Sequence, residues 1–328
     1  MAGNALSITI RRARASDKKV VLGFCRRTWG DWGDYIDKVW DEWVKDKRGF
    51  FAIAAIGKRP VGTAKLTVLN KREMWFEGLR VDPSFRGAGI SHLLTGFLAK
   101  EALRRGAETV RYATGAGNRA SLHIGKSWGL RLVGKYSILT ASSDGRRCSV
   151  FERTSDPVTA LAAVANAGVH CAAGLASEGW TFFEVNRDFL AASFKKREVF
   201  LGLLPPQGAD LPQRRSIARR PPDSGVASPL GILIASPQRK KGRLLVKLVA
   251  ELRENALGLL LSGTRKLAHE LALPRVRLIV PAKRAILACA KGAGFREEDE
   301  GFYHVVMEAH LGDKRTRARV ERLVNRYV

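Results

Sequence analysis

Acidic residues are scarce in this chain. Asp and Glu number 31 against 57 Lys and Arg, which leaves a net charge of +26 over 328 residues. A field of that sign favours polyanionic partners: nucleic acid, an acidic membrane surface or a phosphorylated ligand. The cations are scattered, however, and no DNA- or RNA-binding motif gathers them, so a solvated Arg-rich surface explains them as well. Cysteine is sparse too. Cys25, Cys148, Cys171 and Cys289 are far apart, and no CxxC or CxxH spacing occurs, which argues against a zinc site or any other metal site. No signal peptide is evident, and a reduced cytoplasmic location is expected. Asn and Gln are also few beside the abundant charge, a bias in the direction of heat-stable proteins. A strongly apolar run is missing as well. The longest uncharged stretch, Pro157 to Ser177, is mostly alanine and carries Asn166 and His170, so it reads as a buried helix rather than a membrane span.

What the chain does have is 45% hydrophobic residues, enough for real cores, and length for two domains. A strand is expected at Ile8 to Ala13, then a helix capped at Ser16. In a second helix Ile36, Trp40 and Trp43 recur at helical spacing. "GFFAIAAI" and "PVGTAKLTVLN" read as strands joined by a turn at Gly57 to Pro60, and "EMWFEGLRV" as a third, stopped by Asp82-Pro83. A helix follows from Ile90 to Arg105, ended by Gly106. Then come the strand "ETVRYAT", a helix from Asn118 to Gly129 and the strand "GKYSILTA". The order β-α-α-β-β-β-α-β-α-β predicts an α/β domain with a mixed central sheet flanked by helices.

Ser155-Asp156-Pro157 opens a new helix, which sets the expected domains at 1–153 and 154–328. Residues 204 to 230, rich in Pro and Arg, read as a long exposed loop. The second half echoes the first. "KLAHELALPRVRLIV" parallels "FLAKEALRRGAETVRYA", and "KRAILACAKGAGF" parallels "NRASLHIGKSWGL", so a tandem repeat is expected.

"FRGAGISHLL" sits between a strand and a helix, and its missing side chains would let something approach the backbone closely. Such a turn is a phosphate cradle, with amide N–H groups and a helix N-terminus aimed at the anion. GxxxxGK[ST] is absent, and His92 stands where a GxGxxG fingerprint needs glycine. What remains is Arg86-x-x-Gly89-x-Ser91 after a strand ending in Val-Asp-Pro.

Together with "ITIRRA…SD", "EGLRVDP", "VRYAT" and "N…GL", this turn resembles the GNAT superfamily of acyl-CoA N-acyltransferases over about residues 6 to 140. Ser91 replaces the last small residue of the family signature. "YIDKVWDEWVKD" and "FEGLRVDP" are most similar to its histidine N-acetyltransferase-like branch. The resemblance implies acetyl-CoA as cosubstrate. Arg86, Gly87, Ala88, Gly89, Ile90 and Ser91 would hold its diphosphate, and the backbone of Leu79, Arg80 and Val81 its pantetheine arm. Asn118 stands where the family has a cofactor-contacting Asn, and a plain helix cap explains it equally well.

Acetyl transfer to an amine needs a base, stabilisation of an oxyanion and departure of a thiolate. Glu77 is expected as the base, on the same strand face as Leu79 and Val81, with Glu73 as second choice. A surface carboxylate paired with arginine is the plainer explanation of either. The family's Tyr acid is replaced here by Gly125, and His123, Ser121, Tyr136 or water would have to substitute. In the second half Glu251 and Glu254 stand where a phosphate would bind, and no cofactor is expected there. Between Asp31 and Asp46, acids interleave with Trp29, Trp32, Tyr35, Trp40 and Trp43. Trp29, Trp32 and Tyr35 are expected to face a cationic amine acceptor, a small molecule or a protein amine; an amphipathic helix burying Trp40 and Trp43 accounts for the rest. The reading is therefore an acetyl-CoA-dependent N-acetyltransferase. The alternative is a non-catalytic acyl-CoA- or nucleic-acid-binding protein on the same fold.

Overall fold

In chain order the elements are β1 (Ile8–Arg12), α1 (Lys18–Cys25), α2 (Ile36–Lys45), β2 (Phe50–Ile56), β3 (Arg59–Val68), β4 (Glu73–Val81), α3 (Ile90–Arg104), β5 (Thr109–Gly115), α4 (Arg119–Ser127) and β6 (Arg131–Ser142). There follow β7 (Val150–Arg153), α5 (Pro157–Asn166), β8 (Leu175–Glu178), β9 (Thr181–Glu184), α6 (Arg187–Lys195), β10 (Val199–Leu203), β11 (Pro229–Gln238) and β12 (Arg243–Glu251). Last come α7 (Leu257–Glu270), β13 (Arg275–Pro281), α8 (Arg284–Gly292), β14 (Arg296–Glu297), β15 (His304–His310) and α9 (Lys314–Tyr327). The structure, a computed structural model, describes every residue except 1–6, 27, 29–32, 147–149, 167–173, 205–228 and 253–254, and the side chains of 159, 163 and 166.

Two compact units result: residues 1–133 with 305–328, and residues 134–304. The division differs from the expected one at 153/154. The strand β6 pairs with β13 and β14 and so belongs to the second unit, while β15 returns to lie beside β5 and carries α9 with it into the first. Two smaller expectations also change. Ser16 lies inside a 3-10 turn (Ala15–Asp17) rather than capping the helix, because the Asp17 carboxylate takes the Arg14 N–H at 2.8 Å. Of the expected helix from Pro157 to Ser177, Pro157–Asn166 is helical, residues 167–173 lie outside the described residues, and Leu175 to Ser177 pair as strand β8 with β9. Most of the expected 204–230 loop lies outside the described residues.

In the first unit the strand order is β1-β2-β3-β4-β5-β15. The strand β2 is apolar throughout because helices cover both faces. Ala52 and Ala54 meet the cluster of α3, α9 and Trp128, while Phe51, Ile53 and Ala55 meet α1 and α2. Helix α2 buries Ile36, Trp40 and Trp43, at i, i+4 and i+7, and turns Asp37, Asp41 and Glu42 outward.

Two features of this unit position its site. The strands β4 and β5 are parallel and pair only from Glu73–Trp75 to Thr109–Arg111, although β4 runs on to Val81 and β5 to Gly115. An opening is left between their C-terminal ends. Within β4, Gly78 has φ +64°, and the register against β3 shifts from Lys65↔Glu77 to Thr63↔Arg80. This is a bulge, and the Trp43 ring packs so tightly on it that a β-carbon would lie 2.6 Å from the ring. An alanine there would cost about 1–3 kcal/mol. At the closed end of the pair the buried Arg111 bonds Glu73 of β4 (2.6 Å) and Glu308 of β15, tying the returning strand into the sheet. Removing Arg111 would leave two buried carboxylates facing each other, worth about 3–5 kcal/mol.

The second unit has the order β6-β13-β12-β11-β10-β7. Its β12 and β13 are also parallel and pair only from Arg243–Val246 to Arg275–Leu278. Apolar side chains, among them Val249, Leu257, Leu261, Leu278 and Val280, line the opening that follows.

Candidate active site

Helix α3 begins at a turn with little in it. Gly87 and Gly89 have φ +85° and +75°, and no atom lies within 4 Å of where a β-carbon would stand on either. Arg86 to Gly89 are exposed. As the first amides of a helix, the N–H groups of Ile90 and Ser91 have no carbonyl one turn earlier to bond. The approach to the turn is fixed by Asp82, whose carboxylate accepts from Ser84 N–H (3.1 Å) and pairs with Arg59 (3.3 Å). The turn can therefore receive an anion without displacing any part of the protein. Asn118 caps α4 by accepting from Ser121 N–H (3.1 Å) and donates to Thr114 Oγ1 (3.1 Å). Its side chain is thus engaged in the cap.

The bulge at Gly78 corrects one expectation. Glu77 does not share a face with Leu79 and Val81. The extra residue reverses the alternation, so Leu79 and Val81 join the α3 side while Glu77 faces Thr67, Lys65 and the α2 side. Burial pushes the Glu77 carboxyl above the usual carboxylate range, and Glu42 and Asp46 push it further; the Thr67 hydroxyl and Lys65 pull the other way. Glu77 thus sits beside the opening of β4 and β5 as a carboxylate with an enhanced appetite for a proton. Glu73, at the far end of β4, is buried and held by Arg111 and by Asn70 (2.9 Å), and so is not available as a proton acceptor.

Arg80 turns its guanidinium to Asp34 (Nε–Oδ2 2.6 Å), both nearly buried, leaving only its backbone for a ligand on the α3 side. Tyr35 is half exposed, edge-on to Trp43 at 5.9 Å, with the Arg80 guanidinium 5.6 Å from its ring; its hydroxyl meets the Gly78 N–H. Trp29 and Trp32 lie outside the described residues. Trp40 and Trp43 are core, as an amphipathic helix requires. Of the other acids, Asp37 and Asp41 meet Lys18 at the surface and Asp46 bonds the buried Lys65. Thr67 and Lys65 are parts of this site that no sequence pattern announced, because they approach Glu77 across the β3/β4 pair.

Residues 19–129 match the model of the acetyltransferase (GNAT) family. The first unit carries a GNAT acetyltransferase domain. Solved structures with this fold are similar over nearly the whole chain. A GCN5-related N-acetyltransferase from Sphaerobacter thermophilus aligns with a TM-score of 0.57 and 14% identity, over 92% of this chain and 95% of that one. A chain from Thermoplasma acidophilum assigned as an acetyltransferase gives 0.55 and 17%, over 92% and 99%. A glucosamine N-acetyltransferase region of a fungal multi-domain beta-N-acetylglucosaminidase gives 0.60 and 12%, over 92% and 38%. At these identities the likeness is one of fold. No curated protein sequence matches.

Gly125 stands where the resemblance implies a Tyr acid, and its surroundings leave no room for a side chain. A β-carbon at residue 125 would overlap the Tyr112 hydroxyl, which reaches over from β5 and donates to the Ser121 carbonyl at 2.7 Å. Burial raises this phenol to about 12. Glycine at 125 thus makes the room that the Tyr112 ring takes. Among the expected substitutes for the acid, His123 is exposed on α4, Ser121 receives the Tyr112 hydrogen bond at its carbonyl, and Tyr136 is buried in the second unit against Phe182 (4.6 Å).

No glycine precedes α7 of the second unit as Gly87 and Gly89 precede α3. There the Glu251 carboxylate accepts from Leu257 N–H at 2.6 Å, occupying the head of α7 from within; Glu254 lies outside the described residues. Among the described residues no cluster of His, Cys, Asp and Glu is arranged to hold a metal ion, and no helix is long and apolar enough to cross a membrane.

Proposed function

We propose that the chain is an acetyl-CoA-dependent N-acetyltransferase acting on a cationic primary amine, with one working site, in the first unit. The observation that carries this is the open glycine turn at the head of α3 beside a parallel strand pair that separates after three residues. In this reading the amides from Gly87 to Ser91 bind the diphosphate and the α3-side backbone of Leu79 to Val81 binds the pantetheine arm. A backbone N–H there faces the developing oxyanion, an interaction worth roughly 10²–10³ in rate.

Glu77 enters from the other face of the sheet and removes the proton of the attacking ammonium, directly or through one water. Its raised proton affinity suits that task. Glu42 and Asp46 beside it, and the exposed ring of Tyr35, favour a positively charged acceptor. The thiolate departs with a proton from water. The second unit, with Glu251 in the anion's place, contributes no second cofactor site.

A non-catalytic acyl-CoA-binding protein is the second reading, favoured by the loss of the family's acid at Gly125. Turnover on a panel of amines decides between them. Acetylation of cationic amines with saturation in both substrates supports transfer. Tight acetyl-CoA binding with no acceptor consumed supports the second reading, and reaction with neutral or anionic amines alone defeats the cationic acceptor.

A further inference from the structure

Helix α9 was not foreseen in the sequence, and its composition is extreme. Between Lys314 and Tyr327 it carries six cations and a single acid, Glu321. Val320 and Val324 bury it against α3, and Gly96 of α3 lets Val328 approach where a β-carbon would stand 2.7 Å away. The two helices run in opposite directions. The start of α9 follows Gly312, whose N–H bonds Glu108 beyond the end of α3, and its last turn reaches the first turn of α3. There the Tyr327 ring stacks on His92 with centroids 5.4 Å apart and planes at 18°, and the Arg326 guanidinium stands 5.5 Å from the Tyr327 ring. His92 follows directly on Ser91 of the glycine turn. Burial and the neighbouring His123 hold the His92 imidazole below the ordinary histidine range.

The cations of α9 are unequally engaged. Arg317 pairs with Glu321 at 2.9 Å and Arg319 reaches the Lys126 carbonyl at 3.4 Å, whereas Arg326 has no carboxylate within ion-pair distance among the described residues. Helical spacing puts Arg319, Arg322 and Arg326 along one edge of α9. A guanidinium held by aromatic stacking but lacking an anion, one residue stack from a phosphate-binding turn, is matched to a second phosphate on the same ligand.

We propose that Arg326 binds the ribose 3′-phosphate of the acyl-CoA, with Tyr327 as the positioning residue that sets the guanidinium beside the α3 turn. The proposal rests on the acetyl-CoA reading of that turn and adds the part of the ligand the turn itself does not hold. It makes the last turn of α9, contributed from beyond the whole second unit, a specificity element of the first.

The test compares coenzyme A with 3′-dephospho-coenzyme A by titration calorimetry on the full chain. Wild type is expected to bind the phosphorylated ligand about tenfold more tightly. In Arg326→Ala that preference falls to within about twofold, through weaker binding of coenzyme A, while the affinity for the dephosphorylated ligand stays near wild type. Arg326→Lys retains part of the preference, Tyr327→Ala reduces it, and Tyr327→Phe restores it. Coenzyme A binding in wild type with no 3′-phosphate preference, or an undiminished preference in Arg326→Ala, overturns the proposal and leaves the turn's role standing. Failure of both ligands to bind overturns the acetyl-CoA reading along with it.

Discussion

The heads of α3 and α7 answer one physical question in two ways. Both helices follow a strand at a place where a parallel pair has just separated, and both present unbonded amides there. At α3 the preceding residues are stripped to Gly87 and Gly89, and the amides face open space. At α7 the chain supplies its own anion, the Glu251 carboxylate on Leu257 N–H, and apolar side chains line the strand opening. The first unit leaves the amides at its helix head open, and the second bonds one of its own internally. An anion site is thus defined as much by what the chain withholds as by what it provides.

The sharpest way to break this contrast is to give α3 the feature of α7. Gly89→Glu puts a carboxylate at the turn and a side chain at φ +75°, and acetyl-CoA affinity is expected to fall by about 100-fold or more. A thermal shift with acetyl-CoA equal to that of wild type would move the site elsewhere. Next in size is Glu77→Gln, which should lower turnover by about 10² with acetyl-CoA affinity unchanged. With Glu77 as the proposed base, protonation of its carboxylate stops the reaction, and its proton affinity is raised, so the acid limb of kcat/KM in wild type should lie above the ordinary glutamate range; in the glutamine variant that limb disappears. A limb in the ordinary range would remove Glu77 from the mechanism.

Tyr35→Ala is expected to raise the acceptor KM by about three- to tenfold and to leave the acetyl-CoA KM alone, since an exposed cation–π contact is worth about 0.5–1 kcal/mol. The smallest effect should come from the other side of the comparison. Glu251→Gln weakens the cap of α7 by about 1 kcal/mol, read as a modest drop in Tm, while calorimetry still counts one acetyl-CoA per chain. A second equivalent appearing in that variant would mean that Glu251 alone closes the second unit to the ligand.

The sequence made the first unit's order from β1 to α4 readable because each element there carries its own signal. Helical spacing of Ile36, Trp40 and Trp43, the apolar run in β2 and the glycines before α3 are all local. The bulge was not readable. A single Gly78 in a strand pattern does not announce a positive φ, and only the Trp43 ring lying on it shows why glycine is required. That one residue sends Glu77 to the opposite face from Leu79. The exchange of β6 and β15 between units was hidden for a different reason: strand partners are set by the whole chain, and a boundary judged from the loop at Ser155 cannot see them. Tyr112 and Gly125 are 13 positions apart, and their complementarity exists only once α4 lies on β5.

The return of β15 and α9 to the first unit bears on the birth of the protein. On the ribosome, residues 1–133 emerge first, yet the strand beside β5 and the helix over α3 are made only after all of residues 134–304. Arg111 must wait for Glu308 with one carboxylate partner instead of two, and Gly96 with Trp128 must wait for Val328. The nascent first unit is therefore obliged to persist incomplete, with an unpaired β5 edge and an uncovered α3 face, while the second unit folds. Chains cut short before residue 305 should accumulate as aggregation-prone, chaperone-dependent species.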